Sequence, residues 1–180
     1  MHTPVRDLAA YDNSGFDPGR GFLVRTLWYF LSLVVFESGW LPVSGPKSVI
    51  LRIFGAKIGR GLVIRPNVRI KFPWKLAVGD HCWIGQEVWI DNLDHVYIGN
   101  NVCVSQCVYL CTGSHDHRST TFELRVKPIR IEDGAWLAAK CVILQGVTIR
   151  EGVVVGAGNI VSNELPRCTV VKVAGTVESV

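Results

Sequence analysis

Residues 131–161 read IEDGAWLAAKCVILQGVTIREGVVVGAGNIV, and an aliphatic side chain returns there at every sixth position: Ile131, Leu137, Ile143, Ile149, Val155 and Val161. A period of six matches neither a helix of 3.6 residues per turn nor an isolated strand of period two. It matches a coil with three flat sides, each side a short strand closed by a tight corner, with the aliphatic residue pointing inward. Three such hexads make one 18-residue coil, and equivalent positions stack on successive coils as parallel strands. Gly often follows the aliphatic residue, as at Gly59, Gly79, Gly85, Gly99 and Gly156. These glycines are expected to supply the backbone angles of the corners.

Upstream the same clock runs through Ile58, Ile64, Ile70, then Val78, Ile84, Ile90, then Ile98, Val104, Leu110. Its interruptions are informative. The spacing lengthens to eight after Ile70 and after Ile90, and to 21 after Leu110. Counted three sides per coil, all three insertions fall at one corner. That edge therefore carries Lys71 to Leu76, Asp91 to Val96, and a long loop over residues 111–130. Extra residues at a corner cost a solenoid little and are where function is expected.

The 180 residues suffice for one domain with a core. A hydrophobic fraction of 48% against 19% charged residues excludes a disordered chain, and 18 Gly with one Met favours strands and turns. The net charge of +4 suits an anionic small molecule but is no nucleic-acid footprint. The polar start, His2 to Gly21, has no apolar core of a secretory signal. The six cysteines therefore read as reduced thiols of a cytoplasmic protein, mostly in the core. Thr26 to Phe36 (TLWYFLSLVVF) is apolar, but Arg25 and Glu37 bracket it, and it is shorter than the roughly 18–20 residues of a membrane span. It reads as a helix buried against the domain or a neighbouring subunit. The alternative is an interfacial helix in peripheral contact with the inner membrane surface, although the segment itself lacks a basic face.

The edge loop opens with Cys111-Thr-Gly-Ser-His115-Asp116-His117, two of the five histidines on a rigid scaffold. An imidazole there is a natural general base. A zinc site using His115 and His117 with His81 or His95 is a second reading, and two solvated histidines a third.

The hexad grid, with CTGSHDH, FGAKIGRGLVIRP and KFPWKLAVGD, resembles the hexapeptide-repeat acyltransferases, in particular the colanic-acid and capsule-type O-acetyltransferases, relatives of the galactoside and maltose enzymes. The resemblance runs from about Asp7 to about Val171. It implies an all-β, left-handed parallel β-helix assembled as a homotrimer, with residues 1–55 as a helical cap and 56–180 as the catalytic domain. It further implies acetyl transfer from acetyl-CoA, without a metal, to the hydroxyl of a saccharide or saccharide-lipid acceptor. No nucleic-acid partner is implied. By position, His115 matches the family's general base, and the Ala139 N–H matches the donor to the oxyanion, acting from a neighbouring subunit. CoA contacts map to Trp136, Ala138, Ala139, Gly156, Ala157 and Ser162. Asn163 stands where relatives often carry Lys, and the divergent C-terminus offers only Lys172. The galactoside enzymes' acceptor contacts fall on Gly85 and Leu93, so Asp91, Asn92, Asp116 and His117 are the acceptor-side candidates. A zinc-dependent lyase of carbonic-anhydrase type and a non-catalytic scaffold are the alternatives on the same fold.

Overall fold

A computed structural model describes Val5 and residues 7–172, with the backbone of 177–179. His2 of the polar start and residues 173–176 and 180 of the divergent C-terminal stretch lie outside the described residues. The chain folds as a left-handed parallel β-helix with two α-helices, α1 (Phe22–Val35) and α2 (Ser44–Ile53), at its start. Each face of the prism is a stack of strands two or three residues long. On face one Ile58, Val78, Ile98, Ile131 and Ile149 lie in register. Face two stacks Ile64, Ile84, Val104, Leu137, Val155 and Val171, and face three stacks Ile70, Ile90, Leu110, Ile143 and Val161.

The inward hexad side chains are almost all buried and form one continuous core with the smaller residues four positions on, such as Val68, Cys82, Val88, Val108 and Val147. Each fully buried Val, Leu or Ile contributes roughly 1.5–3 kcal/mol relative to exposure. The repeat also runs half a coil beyond Val161: Leu165 bridges to Ile149, and Val171 pairs with Val155. The interval from Val161 to Leu165 is shortened at the same corner that carries the insertions.

The role expected of the glycines is corrected. The left-handed conformation of the corners belongs to the third residue after the aliphatic one: it is glycine at Gly61, Gly134, Gly146, Gly152 and Gly158, and elsewhere Asn67, His81, Glu87, Asn101, Cys107, Lys140 and Cys168, these seven with φ between 52° and 62°. The glycine directly after the aliphatic residue is there because coils approach closely. A Cβ on Gly59 would lie 2.6 Å from the carbonyl carbon of Gly79, and one on Gly79 would lie 2.7 Å from that of Gly99. The corner between faces one and two is closed by a ladder of side chains. Asp80 accepts from the Arg60 N–H (2.7 Å), Asn100 from the Asp80 N–H (2.8 Å), and Asp133 from the Asn100 N–H (2.8 Å). These hydrogen bonds hold the Asp80 and Asp133 carboxyls below the usual carboxylate range.

The two helices close the first coil. The Trp28 indole N–H donates to the Ile70 carbonyl (2.8 Å), and its ring packs on Phe36 and Phe54. The Val68 N–H donates to the Phe36 carbonyl (3.2 Å). The burial expected of the apolar segment holds for one stripe only: Trp28, Ser32 and Val35 of α1, with Phe36 after it. The rest of the helix is largely exposed in the single chain. Residues 7–17 do not cap the prism. They run back to the long loop, where the Asp7 N–H donates to the Thr120 carbonyl (2.9 Å), and Phe16 stacks on Phe72 of the first coil's insertion.

Gly79→Ala forces a methyl group into the Gly99 main chain. The variant is expected to lose about 1–3 kcal/mol of stability, read from urea unfolding.

Candidate active site

The long loop is a hairpin, with Gly113–His115 paired antiparallel to Leu124–Val126. Its base is fixed by Thr112, which is fully buried. The Thr112 hydroxyl donates to the Asp91 carbonyl (2.9 Å) and accepts from the Asp94 N–H (3.0 Å). His115 ends the first strand, partly buried, with its ring stacked on Phe122 at 4.2 Å and 3° and tilted against Tyr11 at 5.7 Å. Its Nδ1 lies 2.8 Å from the Phe122 carbonyl. A carbonyl only accepts, so Nδ1 is the donor, and in the neutral ring the lone pair is on Nε2. Phe122 itself has φ 50°, the backbone conformation that accompanies this contact.

The acceptor-side candidates separate. Asn92 is fully buried, its carbonyl accepting from the Phe72 N–H (3.0 Å) and its amide donating to the Phe72 carbonyl (2.6 Å). It is a rung between coils, which removes it as an acceptor contact. Asp91 pairs with Lys71 (3.0 Å) and accepts from the Tyr109 hydroxyl (3.0 Å), whose pKa burial raises. Asp116 accepts from the Arg118 N–H (3.0 Å), pairs with Arg125, and titrates below the usual carboxylate range chiefly through the Arg118 bond. It holds the hairpin tip in shape. His117 is exposed at that tip. Leu93 packs against Gly113, and its carbonyl accepts from Lys75 (2.7 Å).

Sequence reasoning missed the cavity beside the hairpin. It measures about 480 Å³, and its polar lining includes Asp12, Asp17, Lys75, Asp94 and Glu123. Burial lowers the Lys75 pKa, opposed by the neighbouring Asp94 and Asp17. The unabsorbed polar run Tyr11 to Asp17 was the available signal. Phe122 and Tyr11 offered none.

The positions assigned to CoA gather elsewhere. Trp136, Ala138 and Ala139 stand at the corner between faces two and three. Gly156 and Ala157 occupy the same corner one coil on, with the Gly158 N–H donating to the Ala139 carbonyl (2.9 Å), and Lys172 follows Val171 there. Trp136 is half-exposed, its indole N–H donating to the Ser105 hydroxyl (3.0 Å). The Ala138 N–H is taken by the Val155 carbonyl (2.9 Å), whereas no acceptor among the described residues takes the Ala139 N–H. Ser162 and Asn163 follow face three instead and are exposed on the His115 edge. Within one chain, His115 and Ala139 therefore occupy different corners of the triangle.

Among the described residues, no group of three or more His, Cys, Asp or Glu side chains could hold a metal ion. His95 lies against Asp94 (3.2 Å), and His81 sits at the corner between faces one and two, so the imidazoles of the zinc reading are not assembled in the chain. All six cysteines are unpaired, but only Cys82 and Cys141 are buried, which corrects the expectation of mostly core thiols. Cys107 and Cys168 stand instead at left-handed corner positions, where the side chain points away from the core.

A parallel β-helix of hexads with a histidine hairpin on one edge defines a class, and the chain belongs to the hexapeptide-repeat acetyltransferases. It is 42% identical over 162 residues to the putative colanic acid biosynthesis acetyltransferase WcaF of Escherichia coli (strain K12), covering 86% of this chain and 88% of that protein. It is 30% identical over 123 residues to the galactoside O-acetyltransferase of the same organism, covering 67% and 60%. Among solved structures, it is similar to the hexapeptide-repeat acetyltransferase VCA0836 of Vibrio cholerae O1 biovar eltor complexed with acetyl coenzyme A. The TM-score is 0.78 at 26% identity, over 91% of this chain and 90% of that one. No protein-family model matches the chain.

In the native chain a thiol reagent is expected to modify exposed Cys168 first. Cys82 and Cys141, whose pKa values burial raises, should react only on unfolding, as read by mass spectrometry of labelled peptides.

Proposed function

We propose that the protein transfers the acetyl group of acetyl-CoA to a hydroxyl of a saccharide or saccharide-lipid acceptor, as a homotrimer in the cytoplasm. The observation that carries the reading is the His115–Phe122 hydrogen bond, which leaves Nε2 as the basic nitrogen. Nε2 takes the proton as the acceptor oxygen attacks the thioester carbonyl. The tetrahedral intermediate then collapses, the C–S bond breaks, and the proton passes from His115 to the departing thiolate. A ternary complex of this kind needs no enzyme nucleophile, in keeping with thiols that are buried or lie off the His115 hairpin's tip.

The oxyanion requires a donor already in place. The untaken Ala139 N–H is one, offered at a corner built from Ala138, Gly156 and Ala157, small enough for a pantetheine arm to lie along. Because that corner and the His115 edge are apart in one chain, the reading requires a neighbouring copy to bring them together. The name of the Vibrio relative's complex supports acetyl-CoA as donor, and those of the colanic acid and galactoside relatives support a saccharide acceptor. The cavity lined by Asp12, Asp17, Asp94 and Glu123 supports it too, because carboxylates suit the hydroxyls of a sugar. Six unpaired thiols fit a reducing compartment.

His115→Ala is expected to lower kcat by at least about 10²-fold while acetyl-CoA binding, measured by calorimetry, is kept. Release of the CoA thiol with a saccharide acceptor reads the rate. A loss below about 10²-fold would contradict the general-base role.

A further inference from the structure

The outward side of α1 has no partner in the chain. At 100° per residue, Phe22, Leu23, Leu27, Phe30, Leu33 and Val34 fall on one side, opposite the buried Trp28, Ser32 and Val35. Leu23 is 81% exposed, Leu27 60% and Phe30 62%, and no charge interrupts that side. The apolar surface continues past α1 through exposed Trp40 and Val43 to Val49 and Ile53 of α2. Uncovered apolar surface of this extent marks a docking face.

Charge identifies the occupant. Residues 20–75 hold ten Lys and Arg against a single acid, Glu37, while the rest of the chain holds nine against fourteen. The cap and the first coil are thus strongly positive, and the coils above are negative. Arg60, Arg69 and Lys71 pair with Asp80, Glu37 and Asp91. Arg20, Arg52, Lys57 and Arg65 are exposed and form no ion pair with any described residue. Arg25, the one charge within α1, lines a cavity of about 350 Å³ together with the Arg69–Glu37 and Lys71–Asp91 pairs, and its Nε is buried with no hydrogen-bond partner. A second copy docking face to face would meet these cations with its own, whereas an anionic lipid surface satisfies the cations with its phosphates and the apolar side with its acyl chains.

We infer that the cap end of the prism docks on an anionic lipid bilayer, with α1 lying in the plane of the interface and the cations of α2 and the first coil reaching the headgroups. No helix of the described residues is long and apolar enough to cross a membrane, so α1 lies on the bilayer. The basic face that the apolar segment lacks in sequence is supplied by its neighbours in the fold. The His115 hairpin springs from the third coil, about 10 Å above the first at the usual strand spacing. Docking therefore holds the candidate active site close to the headgroup layer. The inference goes beyond the proposed transfer and is independent of it, because its readout is binding.

The test is flotation of the full chain with phosphatidylcholine vesicles, with and without 30% phosphatidylglycerol, at low and high salt. The wild-type chain is expected to float with the anionic vesicles and to be released as salt rises. Leu27→Glu/Phe30→Glu should bind roughly tenfold less or worse, with its oligomeric mass and melting temperature unchanged. Should that variant be poorly folded, Arg20→Gln/Lys57→Gln, which leaves all packing in place, should also weaken binding. Equal flotation with neutral vesicles, no flotation at all, or a change of oligomeric mass in the glutamate variant would overturn the inference. The last of these would make the face a subunit interface.

Discussion

Every feature of the molecule depends on one coil resting on the next through main-chain hydrogen bonds at the spacing of adjacent strands. That spacing leaves no room for a side chain at Gly59 or Gly79, and it demands an aliphatic residue wherever three faces turn inward. It also makes each corner a column of equivalent positions, so that three columns with different chemistry run along the prism. One is a ladder of Asp80, Asn100 and Asp133 that satisfies main-chain N–H groups. A second is lined by Ala138, Ala139, Gly156 and Ala157, where no described residue takes the Ala139 N–H. The third takes every insertion and carries His115.

This separation explains why the chain's chemistry is divided. A base on one corner and an oxyanion donor on another cannot meet within a single triangle, so the proposed reaction makes assembly part of catalysis. The hairpin's own design is economical in a different way. Its Asp116 shapes the tip, and Asp91 of the coil below is bound by Tyr109 and Lys71, while the His115 Nδ1 is held by the Phe122 carbonyl. In the proposed reaction, the cavity formed by residues 12–17, Lys75, Asp94 and Glu123 is the place for the acceptor.

The hexads were legible because burial imposes their period on the sequence, and the interruptions of that period mark the edge that carries His115. Corner geometry was not legible. Glycine fills the left-handed position at five corners, but Asn, His, Glu, Cys or Lys fills it at the others, since the stacked coils impose that conformation on whatever residue falls there. Asn92 was misread for a related reason: an amide at an inserted corner looks the same in sequence whether it faces solvent or bridges two coils. The ring of Phe122 and the return of the N-terminal segment to Tyr11 are long-range contacts with no local pattern. The charge asymmetry was present in the sequence, but only the fold places its cations on the two helices and the coil beneath them.

The central claim, that His115 of one chain works with Ala139 of another, is tested most directly by mixing two inactive variants. Ala139→Pro deletes only the open N–H, and Pro66 already occupies the equivalent position of the first coil, so the corner accepts proline. Oligomers reassembled from His115→Ala and Ala139→Pro chains should regain acetyl transfer, because some interfaces then pair an intact histidine with an intact amide. Activity no greater than that of either variant alone, in oligomers shown to be mixed, would contradict the account.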